Sequence, residues 1–123
     1  MKLTRRGFTL IETMLSVSIL LIVTISAVLA IISSTFLIES SRNLVTASND
    51  AQYVLEQIKT QSFSNIAAYV SSYPSDQFSN LLQENISFPN PIYTANLDTI
   101  TVQVAWDERN AAKTFSITTR FAQ

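Results

Sequence analysis

Glu12 is the residue of this sequence with the clearest chemical potential, because it is an acid at the start of a long apolar segment. A charged side chain inside a membrane costs about 2.5–3.5 kcal/mol at the helix centre on insertion scales, and less near the interface. A carboxylate buried in this way needs a cationic partner. Glu12 is therefore predicted to pair with a positive charge. The alternatives are that it reaches towards the interface or is protonated.

Catalytic chemistry is disfavoured by two absences from the 123-residue sequence, which contains no His and no Cys. Without them, Ser-His and Cys-His nucleophile pairs, thiolate metal sites and disulfides cannot form. A Ser-Lys pair using Lys59 or Lys113 is the one enzymatic alternative, and the sequence places neither lysine near a particular serine. We therefore expect no enzyme activity, no catalytic residue, no cofactor and no metal site.

The charges are distributed unevenly along the chain. Lys2, Arg5 and Arg6 place three of the eight cations in the first six residues, whereas nine acids and five bases follow Gly7. A net-acidic body without a basic stripe is not suited to neutralising phosphates. Nucleic acid is therefore not expected to be the main partner.

The element that must position Glu12 is an apolar segment. Residues 13–38 form a run of 26 uncharged residues, which exceeds the roughly 20 that a helix needs to cross a bilayer. The cations in front of this run predict that the N-terminus is cytoplasmic and that the C-terminal body lies outside. A secretory signal cleaved after Ala30, or a plain single-pass anchor, would also fit this pattern, but neither explains Glu12.

Residues 5–12 read Arg-Arg-Gly-Phe-Thr-Leu-Ile-Glu and lead into the apolar run. This pattern resembles the N-terminal signature of type IV prepilins and type II secretion pseudopilins. The resemblance implies that a prepilin peptidase cleaves the Gly7-Phe8 bond on the cytoplasmic side and methylates the new N-terminus at Phe8. It also implies that Glu12 pairs with the N-terminal amine of a neighbouring subunit and sets the register of assembly. Gly7 suits such cleavage because it lets a protease approach the backbone closely.

A long helix is predicted to follow the cleavage site, because no Gly or Pro occurs between Phe8 and Tyr73. Beyond the span the pattern becomes amphipathic, with polar residues such as Asp50 assigned to the exposed positions. We expect an α+β pilin fold, in which the helix is transmembrane in its first half and packs in its second half on a small C-terminal antiparallel β-sheet. The apolar stripe comprises Leu44, Ala47, Ala51, Val54, Leu55 and Ile58.

The remaining residues show weaker signals until the C-terminus. Short helices are predicted over residues 65–71 and 75–85. The aromatic residues of the region 62–98 could serve either the core or lateral contacts. Two alternating strands, residues 100–106 and 115–121, predict a hairpin joined by a polar loop. That loop, residues 107–112, carries oxygens that could be mistaken for calcium ligands, but turn chemistry explains them.

These patterns predict four regions: a cleaved leader (1–7), a transmembrane and filament-core segment (8–38), an amphipathic helical segment (39–61) and a small globular head (62–123). The resemblance is greatest to a minor pilin of the PilV type or a minor pseudopilin of type II secretion. It implies a structural subunit that primes or caps a pilus or pseudopilus. The alternative is a membrane-tethered extracytoplasmic binding module that does not polymerise.

The same resemblance implies the partners and the location of the protein. The expected partners are prepilin peptidase, other pilin or pseudopilin subunits, the inner-membrane assembly platform and the lipid bilayer. The chain is expected to reside first in the cytoplasmic (inner) membrane as a single-pass protein, and then in a cell-surface or periplasmic filament.

Overall fold

A computed structural model describes residues 9–123. In chain order, the elements are helix α1 (Leu10–Lys59), a single 3-10 turn (Phe63–Asn65), helix α2 (Ile66–Ser72), and strands β1 (Asn85–Ser87), β2 (Leu97–Glu108) and β3 (Ala111–Ala122). A long N-terminal helix followed by a small antiparallel sheet is the α+β, pilin-like architecture that the sequence predicted. The chain divides into two compact units, with the division between Glu39 and Ser40.

The C-terminal unit, Ser40–Gln123, contains the hydrophobic core. Ala47, Ala51, Val54 and Ile58 are fully buried on α1, so most of the predicted stripe is confirmed. Leu44, by contrast, is 48 % exposed. The wider core combines α1, α2 and the sheet, and its buried members are Ala47, Ala51, Val54, Leu55, Ile58, Ile66, Val70, Ile86, Ile100, Val102, Val104 and Trp106.

The sheet has the order β1-β2-β3, and both of its pairings are antiparallel. Alternate residues of β2 are buried, and Val102 and Val104 lie opposite Ile117 and Phe115 of β3. Side chains of a strand point alternately to its two faces, so these residues share the face that contributes to the core. The alternation predicted for this hairpin is therefore confirmed.

The hairpin turn is tighter than the predicted loop over residues 107–112. Asp107 pairs with Ala112, and Glu108 pairs with Ala111, so only Arg109 and Asn110 remain between the strands. These two residues have φ values of 52° and 62°. Positive φ at both central positions matches the type I′ turn, whose twist suits a two-residue hairpin. The polar composition of residues 107–112 correctly predicted a turn, but it did not predict that the turn has only two residues.

The helix predicted over residues 75–85 is wrong. This stretch forms turns that lead into β1, which pairs with β2. Glu84 Oε2 accepts hydrogen bonds from the backbone N–H groups of Asn80 and Leu81, at 3.0 and 3.1 Å. The Ile86 N–H donates to the Ser75 carbonyl over 2.8 Å. These contacts hold the backbone in a compact turn and compete with helical hydrogen bonds.

The aromatic residues of the connecting region divide into two groups. Tyr93 is exposed, whereas the others are partly buried against the core. Edge-to-face contacts link three of them: Tyr69 to Tyr73, with ring centroids 5.7 Å apart, and Tyr73 to Phe88, at 5.5 Å. The aromatics that pack against the core are Phe63, Tyr69, Tyr73, Phe78 and Phe88.

Candidate assembly interface

The start of α1 is organised by Thr9, whose Oγ1 accepts a hydrogen bond from the Glu12 backbone N–H over 3.3 Å. This is the bond by which an N-cap residue satisfies the third amide of a helix. Glu12 lies in the first turn, where the positive end of the helix dipole favours a carboxylate. Glu12 thus has a local helix-stabilising position in addition to the predicted role in assembly. Gly7 and Phe8 lie outside the described residues.

The surface of α1 between Leu10 and Ile38 is covered by exposed large apolar side chains. Within residues 9–123, α1 is the one helix long and apolar enough to cross a membrane, and its most apolar window has no residue buried inside the protein. An exposed apolar surface of this extent marks contact with a membrane or with another protein. Residues 10–38 of α1 do not belong to the hydrophobic core, because their side chains are exposed.

The hydroxyl groups in this apolar stretch are largely satisfied by the helix itself. Six of them donate to a carbonyl three or four residues earlier, as Ser16 does to Glu12 and Ser18 does to Met14, both over 2.8 Å. A hydroxyl without a partner is costly in hydrocarbon, and this internal bonding removes much of that cost. The side chains that bond in this way are Thr13, Ser16, Ser18, Thr24, Ser26 and Thr35.

The Glu12 carboxylate is different from these hydroxyls. Its side chain is exposed, and among residues 9–123 it makes no hydrogen bond or ion pair. Glu12 is also the one charged residue between Thr9 and Ile38. Any cation that neutralises it in an apolar environment must therefore come from outside this part of the chain.

The C-terminal unit contains a second polar arrangement, which ties the tip of the hairpin to α1. Asn43 Nδ2 donates to Glu108 Oε2 over 3.1 Å, and the Trp106 indole N–H lies 3.5 Å from the same oxygen. The hydrogen bond from Asn43 lowers the pKa of Glu108, and the bond from Trp106 acts in the same direction. Glu108 belongs to the loop whose oxygens could be mistaken for calcium ligands in the sequence. In the structure its carboxylate accepts hydrogen bonds from within the same unit.

Gln57 links α1 to α2 through one amide oxygen. Gln57 Oε1 accepts hydrogen bonds from the hydroxyls of Tyr69 and Tyr73, at 3.0 and 3.3 Å. Burial raises the pKa of Tyr73 to about 12, with smaller contributions from Tyr69 and Tyr53. Tyr73 is therefore a neutral hydrogen-bond donor at physiological pH. Both hydroxyls bond to Gln57 and so connect α1 to the segment that contains α2.

No group of three or more acidic side chains is placed to hold a metal ion in residues 9–123. A long N-terminal helix followed by a small antiparallel sheet is a pilin-like architecture. Residues 10–38 of this helix carry the exposed apolar side chains. The family model described as the prokaryotic N-terminal methylation motif matches residues 2–28. This match supports a type IV prepilin-like protein.

The motif also has consequences for processing and location. It implies processing by prepilin peptidase and assembly with other pilin subunits, and together with the apolar helix it indicates a membrane-anchored protein. Proteins of this kind are structural. Comparison with curated proteins and with solved structures found no match.

The sequence prediction named Gly7, Phe8 and Glu12 as site residues, and missed the capping role of Thr9. A signal for that role was present, because Thr9-Leu10-Ile11-Glu12 fits the Thr-x-x-Glu pattern of a capping box. The hydrogen bond from the Glu12 amide to Thr9 is one half of that box.

Proposed function

We propose that the protein is a minor pilin or pseudopilin, which enters a type IV pilus or a type II secretion pseudopilus and primes or caps it. Prepilin peptidase removes residues 1–7 by cleaving the Gly7-Phe8 bond and methylates Phe8. The retained segment, residues 8–38, first anchors the subunit in the inner membrane and then forms filament core. The C-terminal body stays outside the cytoplasm, because Lys2, Arg5 and Arg6 hold the N-terminus inside.

The observation that carries this proposal is the single exposed carboxylate at the start of an exposed apolar helix. Lipid can cover the apolar surface, but it does not neutralise Glu12. A neighbouring subunit can do so with the amine that cleavage creates at Phe8. Glu12 and Phe8 are four residues apart in the sequence, so a small axial offset between parallel subunits would bring the amine of one to the carboxylate of the next.

Two features support a minor rather than a major subunit. The first is the absence of Pro between Phe8 and Tyr73, since many major pilins carry a helix-bending Pro at about the position of Leu29. The second is the small size of the C-terminal sheet, which has three strands. A subunit of this kind suits a filament end, where it needs contacts with fewer neighbours than a subunit in the filament body.

The test is to replace Glu12 in cells that make the filament. Breaking a buried ion pair by removing one partner costs about 3–5 kcal/mol, so Glu12→Ala should lower filament incorporation by more than tenfold while the amount in the membrane stays the same. Glu12→Gln should behave similarly, because it retains the shape but not the charge. Glu56→Ala is the matched control, since Glu56 is an exposed acid of the same helix.

Incorporation is measured as the ratio of protein in sheared filaments to protein in the membrane fraction. If the Glu12 variants enter filaments as well as the wild type does, the role assigned to this carboxylate is wrong. If wild-type protein itself stays in the membrane when filaments form, the protein is a membrane-tethered binding module.

A further inference from the structure

Strand β3 forms one edge of the sheet, and its outer side has no neighbouring strand. It contains twelve residues, Ala111–Ala122, and within residues 9–123 it pairs with β2 alone. Alternate residues of an antiparallel strand direct their N–H and C=O groups to opposite sides. Half of the residues of β3 therefore direct these groups away from β2, where an additional strand can bond to them.

The hairpin turn identifies these residues. In a β-turn the carbonyl of the first residue accepts a hydrogen bond from the amide of the fourth, which makes Glu108 and Ala111 the hydrogen-bonded pair next to the turn. Every second pair along the ladder repeats this geometry, and the intervening pairs direct their backbone groups outwards. The Thr101 and Thr118 hydroxyls, 2.8 Å apart, fit the closer side-chain approach of an intervening pair. The outward-directed residues of β3 are thus Ala112, Thr114, Ser116, Thr118, Arg120 and Ala122.

The outer edge of β3 is open to a partner along its whole length. Within residues 9–123, the hydrogen bonds that residues 112–122 form are those with β2, and the pairing runs from Ala111 to Ala122 without a bulge. The side chains of the outward-directed residues are exposed. Residues 114–119 contain no Pro, no Gly and no charge. The centre of this edge therefore lacks the devices by which edge strands commonly prevent the addition of another strand.

The face of β3 that points towards the core is only partly covered. Phe115, Ile117 and Phe121 pack against the core cluster but remain partly exposed, and β3 has no fully buried residue. In β2, by contrast, alternate residues are buried. A further strand beside β3 would place every second side chain next to these three apolar residues, and would extend their cover.

The charges of the two long strands indicate which kind of strand β3 accepts. β2 contains three acids, Asp98, Asp107 and Glu108, and no base. β3 contains two bases, Lys113 and Arg120, and no acid. The two cations flank the uncharged centre of β3, and neither forms an ion pair within residues 9–123. Opposite charges on neighbouring strands stabilise their pairing, so a strand on the outer side should also carry acids near its ends.

We propose that the outer edge of β3 binds an extended segment of another protein, which adds a fourth strand and carries alternating apolar residues between acidic ends. Backbone hydrogen bonds supply affinity, and contacts with Lys113, Arg120 and the apolar face supply specificity. A second copy of this chain does not match these requirements. Two paired β3 strands would combine four cations with no acid, and the acid-bearing strand β2 already lies between β1 and β3.

The test uses the full chain in non-ionic detergent micelles and a fluorescein-labelled peptide that copies residues 97–108. This peptide has the sequence of β2, so it has the alternating apolar residues and the acidic ends that the proposal requires. Binding is measured by fluorescence polarisation at low ionic strength, where surface charges are least screened. In a control peptide the three acids are replaced by lysine, and this peptide should bind at least about tenfold more weakly.

Ser116→Pro removes one outward-directed N–H at the centre of the edge. Pro is tolerated in an edge strand where its missing N–H would face solvent, so this variant should fold and bind the peptide at least about tenfold more weakly. Folding is followed without peptide by the fluorescence of Trp106, which is buried and is the only tryptophan.

The double variant Lys113→Glu, Arg120→Glu reverses the charge of the edge and leaves its backbone intact. It should bind the acidic peptide at least about tenfold more weakly and should prefer the lysine peptide. This variant decides the outcome if Ser116→Pro does not fold. Arg42→Glu is the matched control, because Arg42 is an exposed cation of α1, and it should bind the acidic peptide as the wild type does.

The proposal is overturned if the acidic peptide does not bind the wild type, or if folded Ser116→Pro binds it equally well. Equal binding would mean that the peptide binds elsewhere or displaces β2 from the inner side. An unchanged preference for the acidic peptide after charge reversal would also contradict the proposal. So would a wild-type dimer in sedimentation that Ser116→Pro abolishes and the peptide does not disrupt, because β3 would then bind a second copy. None of these outcomes depends on filament assembly.

Discussion

Truncation of Ile58 tests whether the second half of α1 is an integral part of the C-terminal unit. Ile58 is 0 % exposed and belongs to the core cluster that contains Val102 and Val104 of β2. Ile58→Ala removes buried methyl and methylene groups and leaves a cavity, which typically costs 2–5 kcal/mol. A unit of this size has a total stability of about 4–13 kcal/mol, so the change removes a large share of it.

The expected loss can be measured as a shift in thermal unfolding of the full chain in detergent, followed by Trp106 fluorescence. A loss of about 3 kcal/mol corresponds to a decrease in the midpoint of roughly 12–24 °C for a domain of this size. Leu44→Ala is the matched control, because Leu44 lies on the same helix but is 48 % exposed. Its cost should stay below about 1 kcal/mol.

Equal shifts for the two variants would refute the reasoning. That result would mean that residues 47–58 do not pack against the sheet as a core element, and that α1 is attached to the C-terminal unit only through the chain. A large shift for Ile58→Ala with a small shift for Leu44→Ala supports the packing described above.

Two further predictions concern the hairpin. Asn110→Val should destabilise the C-terminal unit by about 1–2 kcal/mol, because a β-branched residue is strained at the φ of 62° found there. Asn110→Gly should retain wild-type stability, and the urea midpoints of the two variants test this. Glu108 has a lowered pKa, so the stability that it contributes is present above the ordinary pKa of a glutamate and is lost as pH falls through the lower folded-state value. Glu108→Gln should therefore lose less stability on acidification than the wild type, as measured by circular dichroism, and an identical acid profile would contradict the assigned hydrogen bond from Asn43.

Strong local periodicity explains which parts of the fold could be predicted. In β2 the apolar residues from Ile100 to Trp106 alternate, so both the strand and its buried face were predictable. β1 has one buried apolar residue, Ile86, and a strand of three residues is too short to show a period. Its existence depends on pairing with β2, which is a tertiary contact.

Residue type was misleading where a polar side chain is buried. Asp50 lies three residues after Ala47 and four before Val54, so its spacing belongs to the buried stripe. Its charge predicted exposure instead. The structure accommodates the charge through Asn80, which approaches from a different part of the chain. A polar partner that is distant in sequence cannot be anticipated from helical periodicity.

The candidate assembly site was predicted from a sequence signature rather than from a cavity. Glu12 stands out because a carboxylate precedes an uncharged segment, and Gly7 and Phe8 are identified by the residues around them. The capping bond to Thr9 required the backbone geometry at the start of α1. The partner of the Glu12 carboxylate is assigned to a second subunit, so the sequence of a single chain could indicate only that a cation is needed.

The most direct test of the proposed role is mass spectrometry of the N-terminus of protein extracted from membranes. Cleavage of the Gly7-Phe8 bond predicts a mature chain that begins with N-methylated Phe8 and retains the whole of α1. A chain that begins at Ile31, as ordinary signal peptidase would produce by cleaving after Ala30, would lack Glu12 and the apolar segment before it. That result would contradict both the processing and the assembly proposed for this protein.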